Sequence, residues 1–181
     1  MNLNLILPLK KIQLPRLQRE VVIPKLGLKH YNLLREVKDV GENMQRLIDS
    51  ICPGLTQAEA DFVSLHILEF NGKIKSTVIK DGFEYKIDDV YISQRLEFQY
   101  QGNTFYFKAP NKYEEIGTVD MLLSKCFLRV NDSDEKPDFL KMPAFVVKWA
   151  EDLTKTLSIE GPNGSIRGMS EIVDLFNGSE S

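Results

Sequence analysis

A mixed α+β fold is what this sequence predicts, and three observations predict it. Leucines at positions 3, 5, 7 and 9 alternate with a period of two, the pattern of a half-buried strand. Between Gly27 and Phe70 apolar residues recur at i, i+3, i+4 and i+7, the spacing of one helix face. Residues 75–109 then return to short runs punctuated by Asp81-Gly82 and Gly102-Asn103, which is hairpin chemistry. The predicted order is an N-terminal strand hairpin, a helical segment, an antiparallel strand region and C-terminal helices. The 181 residues, 43% hydrophobic and 27% charged, suit one globular domain, or one domain with an appendage. The expected division is a main α+β domain with its hairpin arm over 1–130, a polar loop over 131–138, and C-terminal helices over 139–181 packed on the same domain.

The arm pairs the leucine strand with the run "EVVIP" at Glu20–Pro24. Pro8, Pro15 and Pro24 cannot donate to a sheet ladder and belong at edges, strand ends or turns. Two readings stay open: a peripheral hairpin of this chain, or an arm that completes itself on another subunit. His30, Leu33, Leu34 and Val37 form a first helical stripe, and Met44, Leu47, Ile48 and Ile51 a second, with "DVGEN" between them and Cys52-Pro53-Gly54 as the stop. Thr56 opens a third helix as N-cap with Glu59 at N3, a capping box in which hydroxyl and carboxylate satisfy orphan backbone donors reciprocally. That helix runs to Phe70, and Asn71-Gly72 suits a left-handed end.

In "RLEFQYQGNTFYFKAP" a Gly102-Asn103 turn pairs Tyr100 with Phe105, Phe98 with Phe107 and Leu96 with Ala109 on one face. The same register sets Gln99 against Tyr106 and Glu97 against Lys108 on the other. "VDMLLSKCFLRV" reads as a buried helix. "NDSDEKPD" reads as a solvated loop, lacking the glycine and terminal glutamate of a calcium loop. Pro143 starts a helix striped by Phe145, Trp149, Leu153 and Leu157, and "GPNG" ends it. A short last helix, Ser170 to Phe176, carries Met169, Ile172, Val173 and Phe176 on one face.

A formal net charge of -3, with both signs intermixed, offers no basic face for phosphate, so no nucleic-acid partner is expected. Cys52 and Cys126 stand far apart with no C-x-x-C, which points to reduced thiols rather than a disulfide framework or structural zinc. The first residues lack the basic start and the small-residue cleavage site of a signal peptide, and no run reaches transmembrane length. A soluble intracellular protein with an intact N-terminus is expected.

Candidates for chemistry are few. On a helical wheel His66 falls between Phe62 and Phe70, and Glu69 between Phe62 and Leu65, so both sit inside the apolar arc, while Gln57, Asp61 and Ser64 mark the wet side. Buried ionisable groups need partners and are where perturbed pKa values arise. The competing reading is a core histidine bonded to backbone, with a glutamate reaching outward near a helix end. His30 is the only other histidine, and H-x-x-E lacks the H-E-x-x-H spacing of a zinc site. Cys52 beside Pro-Gly suggests packing, and no G-x-S-x-G, phosphate loop or dinucleotide motif occurs. No catalytic residue, cofactor or metal is predicted. Candidate interface residues are Leu3, Leu5, Leu7 and Leu9 on the arm, and Trp149, Ile172 and Phe176 on the late helices.

The segments "LILPLKK", "GLKHYNLL", "LIDSICPGL", "DFVSLHILEFNGKIKS", "DVYISQRLEFQYQGNTFYF", "LSKCFLRVN", "MPAFVVKWA" and "GPNGSIRG", in this order, cover nearly the whole chain. Together they resemble the distal baseplate hub subunits of T-even-type, contractile-tailed bacteriophages. The front half also resembles a wider set of phage baseplate proteins, some with paired cysteines after the long helix, where this chain has "KSTVIKDGFEYKIDD". The resemblance implies a late protein with a structural or assembly role at the tail tip. Its partners would be other hub or tail proteins, and its place the virion baseplate after assembly in the host cytoplasm. It transfers no catalytic residue. Two rival classes remain: a transient assembly chaperone for another tail protein, such as the tape-measure protein, and a hydrolase centred on His66, Glu69 or Cys52.

Overall fold

The computed structural model describes residues 9–14, 19–25, 40–110 and 117–178. In chain order it runs β1 (Leu9–Leu14), β2 (Arg19–Pro24), α1 (Val40–Ile51), α2 (Gln57–Phe70), β3 (Thr77–Lys80), β4 (Phe83–Lys86) and β5 (Tyr91–Ile92). There follow β6 (Glu97–Tyr100), β7 (Asn103–Phe107), α3 (Val119–Cys126), β8 (Phe127–Val130) and α4 (Val147–Thr154). The chain closes with β9 (Leu157–Gly161), β10 (Gly164–Arg167) and α5 (Met169–Asn177). This is the expected α+β fold of small antiparallel sheets and helices. Contacts divide it into two compact units, residues 1–92 with 157–181, and residues 93–156. The polar stretch 131–138 lies inside the second unit, and residues 139–181 are split between the two.

In the first unit β1 and β2 form the N-terminal hairpin, with Ile12 opposite Val21. Its first strand is described from Leu9 onward; Leu3, Leu5 and Leu7 lie outside the described residues, as do His30, Leu33, Leu34 and Val37. Ile12, Leu14, Val21 and Ile23 are buried, and both strands pack on α2. That helix starts at the predicted capping box: the Thr56 hydroxyl accepts from the Glu59 amide at 3.2 Å, and Glu59 Oε1 accepts from the Thr56 amide at 3.0 Å. From Ala58 to Ile67 every residue of α2 is buried. The wet side expected at Asp61 and Ser64 is therefore absent. An apolar content spread round the whole circumference belongs to a core helix, and Ser64 returns its hydroxyl to the Ala60 carbonyl at 2.7 Å.

The predicted Asp81-Gly82 turn joins β3 to β4, with φ of 51° and 77° at its two central residues, the type I′ geometry that follows strand twist. A strand pair replaces the expected helical tail after Leu157. β9 pairs with both β10 and β5, and Pro162-Asn163 turn the chain between Gly161 and Gly164. "LSIE" is too short to show its period against a helix, so the preceding stripe absorbed it. Gly161 is required by contact, since a Cβ there would come within 2.6 Å of the Tyr85 hydroxyl. α5 packs on this sheet, and a helix of its length does not stand alone in water.

In the second unit the sheet order is β6-β7-β8. The β6–β7 hairpin exists, but its register differs from the expected one: Phe98 faces Phe105, Gln99 faces Thr104 and Tyr100 faces Asn103. The turn residues are Gln101 and Gly102, at φ of 50° and 76°. A type I′ turn needs positive φ at both positions and favours glycine at the second, so Gly102 takes that place rather than the first. The slip is by two residues, which keeps Phe98, Phe105 and Phe107 on the core face while it replaces every predicted pair, the Glu97–Lys108 opposition included. The helix expected over "VDMLLSKCFLRV" ends at Cys126, and Phe127–Val130 becomes the third strand, its register against β7 shifting between Tyr106 and Phe107. The Pro143 helix begins as a single 3₁₀ turn, Ala144–Val146, and continues as α4.

Candidate functional site

The predicted site residues separate by burial. Trp149 is packed inside the second unit, with its ring stacked on Phe98 at 5.1 Å and tilted against Phe105 at 5.1 Å. Ile172 and Phe176 are wholly buried in the first. These three fill cores and present no surface to a partner in this conformation. Leu9 is the only described leucine of the arm stripe and is 64% exposed. Cys52 and Cys126 are buried and not joined in a disulfide.

His66 and Glu69 end up in different surroundings. His66 is buried on α2, its ring edge-on to Phe62 at 4.8 Å and 63°. Its Nδ1 has no hydrogen-bond partner among the described residues. Burial, and then the nearby Lys10 ammonium, hold its pKa down at about 4, against weaker upward pulls from Asp88 and Glu69. Glu69, one turn nearer the helix end, accepts from Lys10 Nζ at 2.8 Å, and the pair is only partly exposed. Next to it the Lys25 ammonium donates to the Phe70 carbonyl and lies 4.7 Å from the centroid of the Phe70 ring. The two lysines thus fix both strands of the N-terminal hairpin to the C-terminal turn of α2, where helix carbonyls carry partial negative charge.

Chemically, this is a fastening. An imidazole with a pKa near 4 is not an imidazolium acid at neutral pH and is a weak base there. The Ser64 hydroxyl, two positions before it on α2, is committed to its own helix. No group of three or more His, Cys, Asp or Glu side chains able to hold a metal occurs among the described residues. Sequence reasoning missed Lys10 and Lys25. The signal lay in "LKKIQL": Lys10 shares the inward parity of Ile12 and Leu14, and an ammonium on an apolar strand face demands a counter-charge. Starting the strand at Leu9 makes that parity visible.

Exposed apolar side chains mark the remaining surface. The first unit exposes Leu9, Val22, Ile79 and Tyr91, and the second Met121, Leu128, Leu140, Phe145 and Val147. No helix among the described residues is long and apolar enough to cross a membrane.

The model of the family described as "Baseplate hub distal subunit" matches residues 23–176. The chain is also similar to the "Baseplate hub assembly protein gp28" of Enterobacteria phage T4: 63% of residues are identical over 176 positions, covering 97% of this chain and 99% of that protein. No solved structure matches the chain.

Proposed function

The chain belongs to the family of phage baseplate hub distal subunits, and from that membership we propose a structural and assembly role in the tail hub, exercised through contacts with other hub or tail proteins. The observation that carries this reading is the end-to-end similarity to a protein named for hub assembly. The buried, neutral His66 and the enclosed Cys52 support a role without catalysis. The net charge of -3 supports protein rather than nucleic acid as the partner. Assembly takes place in the host cytoplasm and ends in the virion baseplate.

Quantitative mass spectrometry of purified mature tails tests it. A hub subunit stays in the finished particle at a fixed ratio to the other baseplate proteins. Recovery from assembly intermediates but not from mature tails would instead identify a transient chaperone.

A further inference from the structure

The β3–β4 hairpin has an open edge along β3. The Asp81-Gly82 turn makes Lys80 and Phe83 the first bonded pair, so bonded pairs recur at Val78/Tyr85 and Ser76/Ile87. The Ile87 amide donates to the Ser76 carbonyl at 2.9 Å, in keeping with that phase. The main-chain groups of Lys75, Thr77 and Ile79 therefore point away from β4. The Lys75 amide donates to the Phe176 carbonyl of α5 at 2.9 Å, which closes the edge at its start. The amides and carbonyls of Thr77 and Ile79 have no partner among the described residues. The outer edge of β8 differs: Val130 and Ser133 exchange bonds at 2.8 and 2.9 Å, and the chain closes that edge on itself.

Side chains follow the same alternation. Val78 and Tyr85 turn inward, Val78 half-buried against the core of the first unit and Tyr85 inside it. Thr77 and Ile79 turn outward and are exposed, Ile79 by 75%. Neither proline nor bulge guards this strand, and its Thr-Val-Ile run is β-branched throughout. The edge itself selects what can add to it. Lys75 is taken and Asp81 begins the turn, so Thr77 and Ile79 alone offer bonds. Set antiparallel to its own copy, this window has a single register that uses all of them. Thr77 then stands opposite Ile79, Val78 opposite Val78, and Lys80 opposite Ser76. No like charges are opposed, and each Ile79 is covered by the threonine across and, diagonally, by the other isoleucine.

We propose that β3 pairs antiparallel with β3 of a second copy of this chain across a two-fold axis at Val78, joining two hairpins into one four-stranded sheet. Such a contact is isologous, the same patch serving both copies. It goes beyond the hub role above and does not depend on it. Two-stranded hairpins are marginal alone, and the added strands supply the missing neighbours. The strand has four residues, against about 20–30 a side in a stable interface, so the pairing is weak and depends on concentration.

Sedimentation equilibrium of the full chain tests this, run up to about 1 mM so that even a millimolar contact registers. The wild type is expected to form a reversible dimer. Ile79→Lys, which sets two charges beside the axis, is expected to weaken it about tenfold or more. Leu9→Lys removes a leucine of similar exposure from the other hairpin and is expected to dimerise as wild type. Both variants should melt as wild type, because both side chains are exposed in the single chain. Under mild oxidation Val78→Cys should link two copies above the wild-type level, since an unbonded pair stands about 4.5 Å apart, within disulfide reach. Lys80→Cys, opposite a serine, should not. A wild type that stays monomeric at about 1 mM overturns the pairing. So does a dimer that survives Ile79→Lys, or one that Leu9→Lys splits. Lowered melting in Ile79→Lys places that side chain in the chain's own core and overturns it as well. Failure of Val78→Cys to link, or linking through Lys80→Cys instead, overturns the register.

Discussion

The two units bury their interiors with different side chains. In residues 93–156 the core is aromatic: Phe98, Phe105, Phe107, Phe127, Phe139 and Trp149 are buried together. In residues 1–92 with 157–181 it is aliphatic, built on Leu14, Ile23, Leu47, Leu65, Ile67, Leu157 and Ile159. The aliphatic core also takes in polar groups, Glu59, Asp61, Ser64 and His66 on α2 and Ser158 on β9. Chain continuity accounts for the contrast. The second unit is one stretch with its ends tied together, the Ser93 and Gln94 amides donating to the Thr156 carbonyl and Gln94 Nε2 to the Leu153 carbonyl at 2.9 Å. A short closed stretch fills its interior most economically with rings that each bury roughly 150–250 Å². The first unit draws on both ends of the chain, needs Ile172 and Phe176 for closure, and encloses a helix on all sides. Enclosure strands the His66 imidazole away from water, so its sensitivity to pH belongs to that unit.

The largest effect that tests this contrast is Trp149→Ala. Removing a ring that touches Phe98, Phe105, Phe107 and Phe145 is expected to cost about 3–5 kcal/mol. Chemical denaturation measures the loss, and hydrogen exchange should accelerate in β6, β7 and β8. A cost below about 1 kcal/mol would show that the aromatic cluster is loosely packed rather than the core of its unit.

The next effect is a dependence on pH. His66 has a folded pKa of about 4 against 6.5 for the free side chain, so the folded state disfavours the proton. Its neutral form is fully accommodated above pH 6.5, and stability is lost as pH falls from there toward 4. The expected total is about 3 kcal/mol. Urea midpoints between pH 7 and pH 4 should show that slope in the wild type and a flatter one in His66→Leu. Equal slopes in the two proteins would remove His66 as the source. His30 lies outside the described residues, so the comparison with the variant is needed to separate the contribution of His66.

Local signals were legible in the sequence, and those that depend on distant partners were not. The Thr56/Glu59 box, the Asp81-Gly82 turn and the last helix are each specified within a few residues, and the structure has all three. "FLRV" and "LSIE" are short apolar runs whose state is chosen by the sheets they join, and both were absorbed into neighbouring helical patterns. The candidate site shows the same limit. The inclusion of His66 in an apolar arc was readable on a wheel, whereas the ion pair between Glu69 and Lys10 spans 59 positions and needed the fold. Trp149, Ile172 and Phe176 look alike as core or as interface anchors in sequence, because both uses ask for a large apolar side chain on a helix face.

The smallest effect concerns the β6–β7 turn, where sequence and structure disagree by a two-residue slip of register. Gln101 holds φ at 50°, a conformation that costs a residue with an ordinary side chain about 1–2 kcal/mol and asparagine less. The position is held from outside. Asn131 Oδ1 accepts from the Thr104 amide at 2.9 Å, the Asn131 amide donates to the Thr104 carbonyl at 2.8 Å, and Asn131 Nδ2 donates to Asn103 Oδ1 at 2.9 Å. The end of β8 thus fixes the first residues of β7, and with them the turn. Gln101→Asn creates the Asn-Gly pair preferred in type I′ turns and should raise stability by about 0.5 kcal/mol without moving the register. Had the register followed Gly102-Asn103 as the turn, Gln101 would be a strand residue and asparagine there would destabilise. The sign of one small change, read from a melting curve, therefore decides which of the two hairpins this chain forms.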